Sequence, residues 1–227
     1  RSGTLTQQTV PMLQGIESIS VLNSEAGEPA PLVLFAPEEK AIGFVRYNEE
    51  EDQLPFPSIL PITGVPKGIA TASVQGKQTL VALLADEDDE AKKLTGFPID
   101  ENGEIGSGKD LLNADDAKAF EDIDVIGMEA MDVNRDGASD LVVYADFRPA
   151  MILVQNANTG KFSRLTATSG ILEGLLSSTR PGSLMQVQLG DEDDGASVMA
   201  VKEKFARVFY IDEKQNVVVE KQYNGRN

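Results

Sequence analysis

The feature that most constrains the fold of this chain is a strand pattern that occurs four times along its 227 residues. Each unit contains an alternating strand, a polar loop, a short apolar β-branched strand, a turn, a second apolar strand, a polar hairpin and a weak last strand. The residues that open the second strands are spaced by 48, 61 and 58 positions, and they are Leu32, Leu80, Leu141 and Met199. A period of this size indicates units that bury their apolar faces only against one another.

Four-stranded antiparallel units of about 50 residues, joined by short hairpins, are typical of a β-propeller, in which blades pack face to face around a central axis. We therefore predict an all-β propeller of about four blades. The alternative all-β architecture, a sandwich of independent strands, has no reason to repeat its loops and hairpins at a fixed period. In the first two units the weak last strands are predicted at 54–56 (LPF) and at 104–107 (EIGS).

The units divide the chain into blades with short helical inserts. A helix over 113–120, capped by Asn113, explains the long spacing after the second unit, and a helix over 170–178 explains the spacing after the third. Residues 1–10 occupy the place of a fourth strand left from a preceding blade, and all four later units look complete. We therefore expect an arc of a larger ring, with a closed four-blade ring as the alternative. The predicted blades are 11–65, 66–122, 123–182 and 183–227.

The residues that the chain lacks exclude several classes of function. It has no Cys and no His, which excludes disulfide frameworks, zinc fingers, thiol nucleophiles and Ser-His-Asp relays. Its 20 basic and 37 acidic side chains give a net charge of −17, which disfavours nucleic acids and anionic membrane surfaces as partners. Its longest apolar runs fall far short of the roughly 20 residues of a membrane helix. We expect no nucleic-acid partner, no membrane insertion and no enzymatic activity.

One loop in the third unit has the residue types and the spacing of a calcium site. The segment DVNRDGASD, at 132–140, places oxygen side chains at its positions 1, 3, 5 and 9 and a glycine at position 6. Alternate residues of such a tight loop point inward, the glycine permits the sharp turn, and Ca²⁺ prefers six to eight oxygen ligands. Three carboxylates and one amide suit Ca²⁺ better than Mg²⁺, which retains its waters. The main-chain carbonyl of Ala138, at position 7, would add another ligand.

The end of the loop separates two families that share this opening. An EF-hand needs Glu at position 12 and a following helix, whereas position 12 here is Val143, inside a β-branched run. The segment DVNRDGASDLVV resembles the FG-GAP or VCBS repeat of integrin α-subunit propellers and of many bacterial surface and secreted proteins. The other three units resemble that repeat only in their strand pattern. The resemblance implies calcium binding between the first and second strands of a blade, through the side chains of Asp132, Asn134, Asp136 and Asp140.

Other interpretations of the acidic segments stay open. Without a metal, 132–140 is an Asp/Asn/Gly turn whose side chains hydrogen-bond to their own backbone. The equivalent loop of the second unit is short, and that of the fourth unit keeps too few ligands for a strong site. A weak second site there would use Asp191, Asp193 and Asp194. The acidic runs at 49–52 and 86–90 are interpreted as solvated turns.

The leading hypothesis is a calcium-binding propeller that acts as a protein-interaction, adhesion or scaffold module of a surface, secreted or periplasmic protein. Ca²⁺ is the expected cofactor, and the expected partner is a protein or a larger assembly, including further blades of the same ring. The alternatives are a propeller enzyme or its accessory domain, of the polysaccharide lyase or quinone-dependent oxidoreductase type, and a carbohydrate-binding module. A lyase base would come from the group Lys202, Lys204, Arg207 and Tyr210. The absence of Trp argues against an aromatic carbohydrate platform.

Overall fold

The fold consists of four antiparallel sheets with four strands each. The computed structural model describes residues 9–24, 28–88, 91–113, 116–121, 123–166, 170–189 and 195–225. The first sheet contains β1 (Ser18–Val21), β2 (Leu32–Ala36), β3 (Ala41–Val45) and β4 (Ser58–Ile59). The second contains β5 (Val65–Val74), β6 (Lys77–Ala85), β7 (Lys92–Pro98) and β8 (Lys109–Asp110). The third contains β9 (Val125–Met131), β10 (Asp140–Ala145), β11 (Met151–Gln155) and β12 (Phe162–Arg164). The fourth contains β13 (Leu184–Val187), β14 (Ser197–Val201), β15 (Phe205–Ile211) and β16 (Val217–Asn224).

The four sheets are arranged as the blades of a propeller. Within every sheet the strands lie side by side in chain order. The first strands of the four sheets, β1, β5, β9 and β13, line a common cavity of about 640 Å³. This cavity marks the axis around which the sheets are placed. The chain is therefore an all-β propeller arrangement of four blades, as its repeat predicts, and we number these blades 1 to 4 in chain order.

The two faces of each blade pack against different neighbours, because successive side chains of a strand point to opposite faces. In β10, Leu141 and Val143 belong to the buried cluster shared with blade 2. Val142 and Tyr144 belong to the cluster shared with blade 4. We call the side of a blade that points toward the next blade in the chain its forward face, and the opposite side its rear face.

Of the four residues predicted to open the second strands, only Leu32 is the first residue of its strand, and Met199 also lies on a different face from the other three. Leu32, Leu80 and Leu141 all lie on rear faces. In blade 4 the rear face, which packs against blade 3, carries Val198, so Met199 lies on the forward face. The strand β14 is short and has apolar or small residues on both faces, so its sequence lacks the alternation that fixes a register.

Three clusters of buried apolar side chains hold the blades together, one at each junction between consecutive blades. Each cluster combines a forward face, the following rear face and the segment that crosses between the two blades. Between blades 3 and 4, for example, Val142 and Val198 share a cluster with Leu172 and Leu175 of the crossing segment. Fully burying a side chain of this size stabilises the fold by about 1.5–3 kcal/mol. Among the described residues, no such cluster joins blade 4 to blade 1.

The crossing segments contain the predicted helical inserts. The segment before blade 4 forms α1 (Gly170–Leu176), whose buried residues Leu172, Leu175 and Leu176 follow the spacing of one helix face. The segment before blade 3 forms a 3-10 helix over Ala117–Phe120, and its N-cap is Asp116 rather than the predicted Asn113. Within the described ranges, no helix is long and apolar enough to cross a membrane.

The outer strands predicted for blades 1 and 2 are in the wrong places. The strand β4 follows 54–56 rather than occupying it, because Pro55 and Pro57 lack the N–H groups that a ladder needs. The strand β8 follows 104–107, within which Ile105 forms an isolated bridge with Ile99. The strand predicted over residues 1–10 falls on a segment of which only residues 9 and 10 are described, and these two are not in a strand.

Candidate metal site

The loop with calcium spacing joins the two innermost strands of blade 3. The strand β9 ends at Met131, and β10 begins at Asp140, which pairs with Met131 across the sheet. Between them the chain turns through two left-handed residues, Arg135 at φ 64° and Gly137 at φ 79°. Glycine adopts this conformation without a steric penalty, which explains its place at position 6 of the loop. All of the predicted ligands therefore lie in one turn at the end of these two strands.

Hydrogen bonds within the loop organise its first three predicted ligands. The Oδ1 atom of Asp132 accepts the N–H of Arg135 at 2.7 Å, and Oδ2 accepts the N–H of Gly137 at 3.0 Å. The Oδ1 atom of Asn134 accepts the N–H of Asp136 at 3.1 Å, while its Nδ2 donates to Oδ2 of Asp136 at 2.9 Å. The side chains at positions 1, 3 and 5 therefore all turn toward the backbone of their own loop.

Asp140 is the predicted ligand that is completely buried. Its Oδ2 accepts the N–H of Val133 at 3.1 Å, and its Oδ1 accepts the N–H of Gln155 at 2.8 Å. The pKa of Asp140 is raised to about 7: burial is the largest cause, the N–H donors of Gln155 and Val133 act in the opposite direction, and the carboxylates of Asp136 and Asp132 add to the rise. A carboxylate that is costly to keep charged and that faces two others is a position where a cation would stabilise the fold.

The loop has the oxygen atoms that a calcium site needs, but its acidic side chains do not form a closed cluster. Within the described ranges, no three acidic side chains lie close enough together to hold a metal ion by themselves. The oxygen atoms that would bind the ion accept backbone N–H groups, as in the metal-free interpretation. Each carboxylate still has acceptor capacity to spare, because its two oxygens offer about four lone-pair sites. All donors are oxygen, so the set fits Ca²⁺ in kind and in its order along the loop.

The end of the loop is fastened to blade 2. Ala138 donates its N–H to Oδ1 of Asp136 at 2.8 Å, and its carbonyl as a ligand stays a prediction. The Oγ atom of Ser139 accepts the N–H of Ser73, in β5, at 2.9 Å. The buried amide of Gln155 donates to the carbonyls of Ser139 at 2.7 Å and Ser73 at 2.9 Å. The loop therefore shares a polar network with the first strand of the preceding blade.

The middle of the loop is fastened to blade 4 by Arg135. The guanidinium carbon lies 3.8 Å from the ring centroid of Tyr210, and a guanidinium nitrogen lies 2.7 Å from Oε1 of Glu220. The guanidinium also donates to Oγ of Ser197, which in turn donates to Oε2 of Glu220 at 2.6 Å. Burial tends to raise the pKa of Glu220, but the hydrogen bonds from Ser197 and Arg135 outweigh it and hold the pKa below its usual value.

Sequence reasoning missed several residues that fasten the loop to its neighbours, among them Arg135, Ser139 and Gln155. Their partners are distant along the chain, since Ser73 is 66 residues from Ser139 and Ser197 is 62 residues from Arg135. The calcium pattern leaves the identity of positions 4 and 8 open. The one local signal is a polar Gln that ends the apolar run MILVQ, where a buried strand would favour an apolar residue.

The four residues considered for a lyase site do not form one site. Lys202 and Lys204 lie in the turn between β14 and β15. Tyr210 lies near the opposite end of β15, under the guanidinium of Arg135. At about 3.3 Å per residue, this separates Tyr210 from Lys204 by roughly 20 Å, with Arg207 between them.

The equivalent loops of the other blades differ from the loop of blade 3. Blade 2 uses a turn of two residues, Gln75 and Gly76, both with positive φ, as its short sequence predicts. In blade 1, residues 25–27 lie outside the described part of the chain. The weak second site considered at Asp191, Asp193 and Asp194 also lies outside the described residues.

No family model and no curated protein matches the sequence. Among solved structures, the periplasmic gluconolactonase PpgL of Pseudomonas aeruginosa is similar at 16% identity and a TM-score of 0.51, over 90% of this chain and 53% of that chain. The Dos1 propeller matches at 13% identity and a TM-score of 0.48, over 92% of this chain and 47% of that one. Hydrazine synthase of Kuenenia stuttgartiensis matches at 12% identity and a TM-score of 0.47, over 100% of this chain and 53% of that one. The chain thus spans about half the length of these structures, and the likeness to PpgL shows the propeller fold alone.

Proposed function

We propose that this chain is a calcium-binding propeller module that serves protein interaction or assembly, without catalysis, in a surface, secreted or periplasmic protein. The observation that carries the proposal is the environment of Asp140, which is completely buried and whose pKa is raised by its burial and by two other carboxylates of a loop whose donor atoms are all oxygen. Bound Ca²⁺ would supply the positive charge that offsets this repulsion. The spacing shared with FG-GAP and VCBS repeats supports the same ion.

The contacts of the loop suit a structural role for the ion. Arg135 connects the loop to blade 4, and Ser139 connects it to blade 2. Asp140 and Gln155 connect it to the third strand of its own blade. A loop held in one conformation would therefore stiffen both junctions of blade 3. A rigid propeller presents its connecting loops as a fixed surface, which supports a role in binding a protein partner.

The proposal is tested by calcium-dependent unfolding. We expect the thermal midpoint of the chelated chain to rise when Ca²⁺ is added, because a ligand at a hundred times its Kd stabilises the folded state by about 2.7 kcal/mol. For a chain of this size, that increment corresponds to about 5–10 °C. Calorimetric titration should show one strong site, and Mg²⁺ should give a smaller rise because it dehydrates reluctantly.

The hairpin between β15 and β16 offers a matched control. The Oδ1 atom of Asp212 accepts the N–H groups of Lys214 at 2.9 Å and Asn216 at 2.7 Å, so it is an acidic turn residue outside the calcium pattern. Asp132→Ala should abolish most of the calcium-dependent rise, whereas Asp212→Ala should keep it. The proposed site is wrong if the parent does not respond to Ca²⁺, or if the two variants respond alike.

A further inference from the structure

The turn between β10 and β11 carries the most exposed large apolar side chain of the described residues. Phe147 is 99% exposed, whereas the next in this order, Val21, is 64% exposed. The backbone of Phe147 is left-handed, at φ 57°, and the other described non-glycine residues with positive φ are all polar. A bulky side chain in this conformation strains the backbone, and such strain is concentrated at functional sites. Phe147 thus combines two unfavourable features, and at 99% exposure its packing within the described chain offsets neither.

Beside this turn lies a groove of about 500 Å³, which we call the blade 3 groove. It includes Ala145, the last residue of β10, whereas the calcium loop ends at Asp140, the first residue of the same strand. The two sites are therefore about 17 Å apart, at about 3.3 Å per residue. The floor of the groove consists of buried apolar side chains, among them Ile152, Leu165, Leu172 and Leu176. A concave, largely apolar site of this volume is typical of a binding site.

Two arginines and one glutamate, all exposed, contribute to the lining of the blade 3 groove. Arg148 directly follows Phe147, and Arg164 ends β12. Among the described residues, neither guanidinium makes an ion pair or a hydrogen bond. With Glu173 of α1, the lining has a net charge of +1 in a chain that carries −17. The equivalent turn of blade 2, over 86–91, contains five acidic residues and no basic one, so the positive charge is particular to blade 3.

We propose that Phe147 and the blade 3 groove bind a segment of a partner protein in which apolar side chains are flanked by acidic ones. The apolar side chains lie on the floor of the groove, and the flanking carboxylates pair with Arg148 and Arg164. Guanidinium groups bind carboxylates through two parallel hydrogen bonds, and aromatic and arginine side chains are enriched at the centres of protein interfaces. This inference rests on the interaction role proposed above, and it does not depend on the calcium site.

The charge of the chain favours a short acidic segment over a polyanion. A nucleic acid or an anionic membrane would face the −17 of the whole chain, which repels it. A segment with a few carboxylates contacts only the groove, where the local charge is positive. The small net charge of the lining, with Glu173 opposing the two arginines, suits a partner that is apolar as well as acidic.

Titration with defined peptides, followed by the NMR signals of the methyl groups of Leu172 and Leu176, tests the proposal. The peptide Glu-Leu-Glu-Leu-Glu, with blocked ends, should bind with a Kd of about 0.1–1 mM, as expected for a short flexible segment. Replacing its leucines by glycine, or its glutamates by glutamine, should weaken binding about tenfold or more. Because the chain itself is strongly acidic, non-specific attraction does not explain the binding of an acidic peptide.

Charge variants assign the binding to the groove. Arg148→Gln and Arg164→Gln should each raise the Kd of the Glu/Leu peptide about fivefold, because each removes a charge-assisted pair. Arg180→Gln is the matched control, since Arg180 is also exposed but does not line the groove, and it should bind like the parent. Glu173→Gln should lower the Kd about twofold, because it removes a carboxylate that opposes the peptide.

The variant Phe147→Asn separates a role in binding from a role in the fold. Asparagine adopts a left-handed backbone more readily than phenylalanine, so the thermal midpoint of unfolding should stay unchanged or rise by about 2–4 °C. The Kd of the Glu/Leu peptide should rise about fivefold, and a loss of stability would mean that Phe147 serves the fold instead.

Three results would overturn the proposal: a Glu/Leu peptide that does not bind, a Gln/Leu peptide that binds equally well, or an Arg180→Gln variant that binds as weakly as the groove variants. None of them changes the expected rise of the thermal midpoint with Ca²⁺. Failure of the groove and failure of the calcium site are therefore distinguishable.

Discussion

Blades 2 and 3 connect their first two strands in opposite ways. In blade 2, Gln75 and Gly76 alone form the turn, whereas eight residues, 132–139, connect the strands of blade 3. Both connections contain a non-glycine residue and a glycine with a left-handed backbone, which in blade 3 are Arg135 and Gly137. Two residues are therefore enough to join such strands, and the additional residues of blade 3 include those that contact the neighbouring blades.

A second comparison concerns the residue that immediately precedes Leu80, Leu141 and Val198, which are equivalent rear-face residues of the second strands. In blades 2, 3 and 4 this residue is Thr79, Asp140 and Ser197, and all three are buried and polar. The hydroxyl of Thr79 donates to the nearby carbonyl of Lys77 at 3.1 Å. A polar residue at this position is thus shared by three blades, and blade 3 differs in that its residue is a carboxyl group whose pKa burial and two other acids raise.

The largest difference in the loss of stability is expected between Asp140→Ala and Thr79→Val, both measured without calcium. Asp140→Ala leaves the buried N–H groups of Val133 and Gln155 without an acceptor. Each such group costs about 1–3 kcal/mol, and relief of a buried charge offsets a part, so we expect the free energy of unfolding to fall by about 3 kcal/mol. Thr79→Val removes one neutral hydrogen bond and should cost about 1 kcal/mol. Urea denaturation in the presence of a chelator measures both losses.

Asp140→Asn is the control for this contrast. The amide keeps the shape of the side chain, but its NH₂ group faces one of the two N–H donors, so its loss of stability should lie between the other two. Equal losses for Asp140→Ala and Thr79→Val would contradict the idea that blade 3 depends on a carboxylate at this position.

The sequence predicts those features of the fold and of the loop that are encoded within short segments of the chain. The repeat of apolar strands, the glycine at position 6 and the spacing of oxygen side chains all lie within short segments. The structure does contain four four-stranded sheets, with 132–139 connecting two strands of blade 3 and Asp140 opening the second of them. The strands β4 and β8 have two residues each, so they have no alternation to detect. The strand β14 has apolar or small residues on both faces, so its sequence does not show that Val198, rather than the predicted Met199, is the equivalent of Leu141.

The contacts that fasten the loop could not be predicted, because their partners are far apart in the sequence. Arg135 contacts Tyr210 and Glu220, which belong to another sheet. Nothing in DVNRDGASD distinguishes an arginine side chain that contacts a neighbouring blade from one that is exposed to solvent. Only the packing of blades 3 and 4 brings these side chains together.

The second contrast isolates the side chains that reach from these turns to the next blade. Arg135 and Gln75 both have left-handed backbones, at φ 64° and 51°, so their replacement by Ala has a similar backbone effect. Gln75→Ala loses an exposed hydrogen bond to the carbonyl of Asn158 and should cost about 0.5 kcal/mol. Arg135→Ala loses its stacking on Tyr210 and its partly buried ion pair with Glu220, and should cost about 2 kcal/mol.

Double-mutant cycles show whether these energies come from the contacts named. Combining Arg135→Ala with Tyr210→Leu should give a coupling energy of about 1 kcal/mol, whereas Gln75→Ala with Tyr210→Leu should give none. A first cycle without coupling would mean that Arg135 does not hold blade 4 through this ring.

The smallest contrast concerns the glycines of the two turns. Gly76 and Gly137 have φ values of 74° and 79°, and a Cβ added to either would meet no atom of the described residues within 4 Å. The cost of Gly76→Ala and of Gly137→Ala is therefore that of a left-handed backbone, about 1 kcal/mol each in the metal-free chain. Urea denaturation in chelator should show equal losses of stability.

Calcium should make the two glycines unequal. Position 6 of a calcium loop permits the sharp turn that brings the ligands on either side to the ion, so Gly137→Ala should raise the calcium concentration for half-maximal stabilisation about tenfold or more. Gly76→Ala, in a turn without ligands, should leave that concentration unchanged. Because both variants have the same backbone strain, a difference that appears only with calcium reports on ligand geometry. If the losses stay equal with calcium, the longer loop of blade 3 exists for its contacts through Arg135 and Ser139 alone.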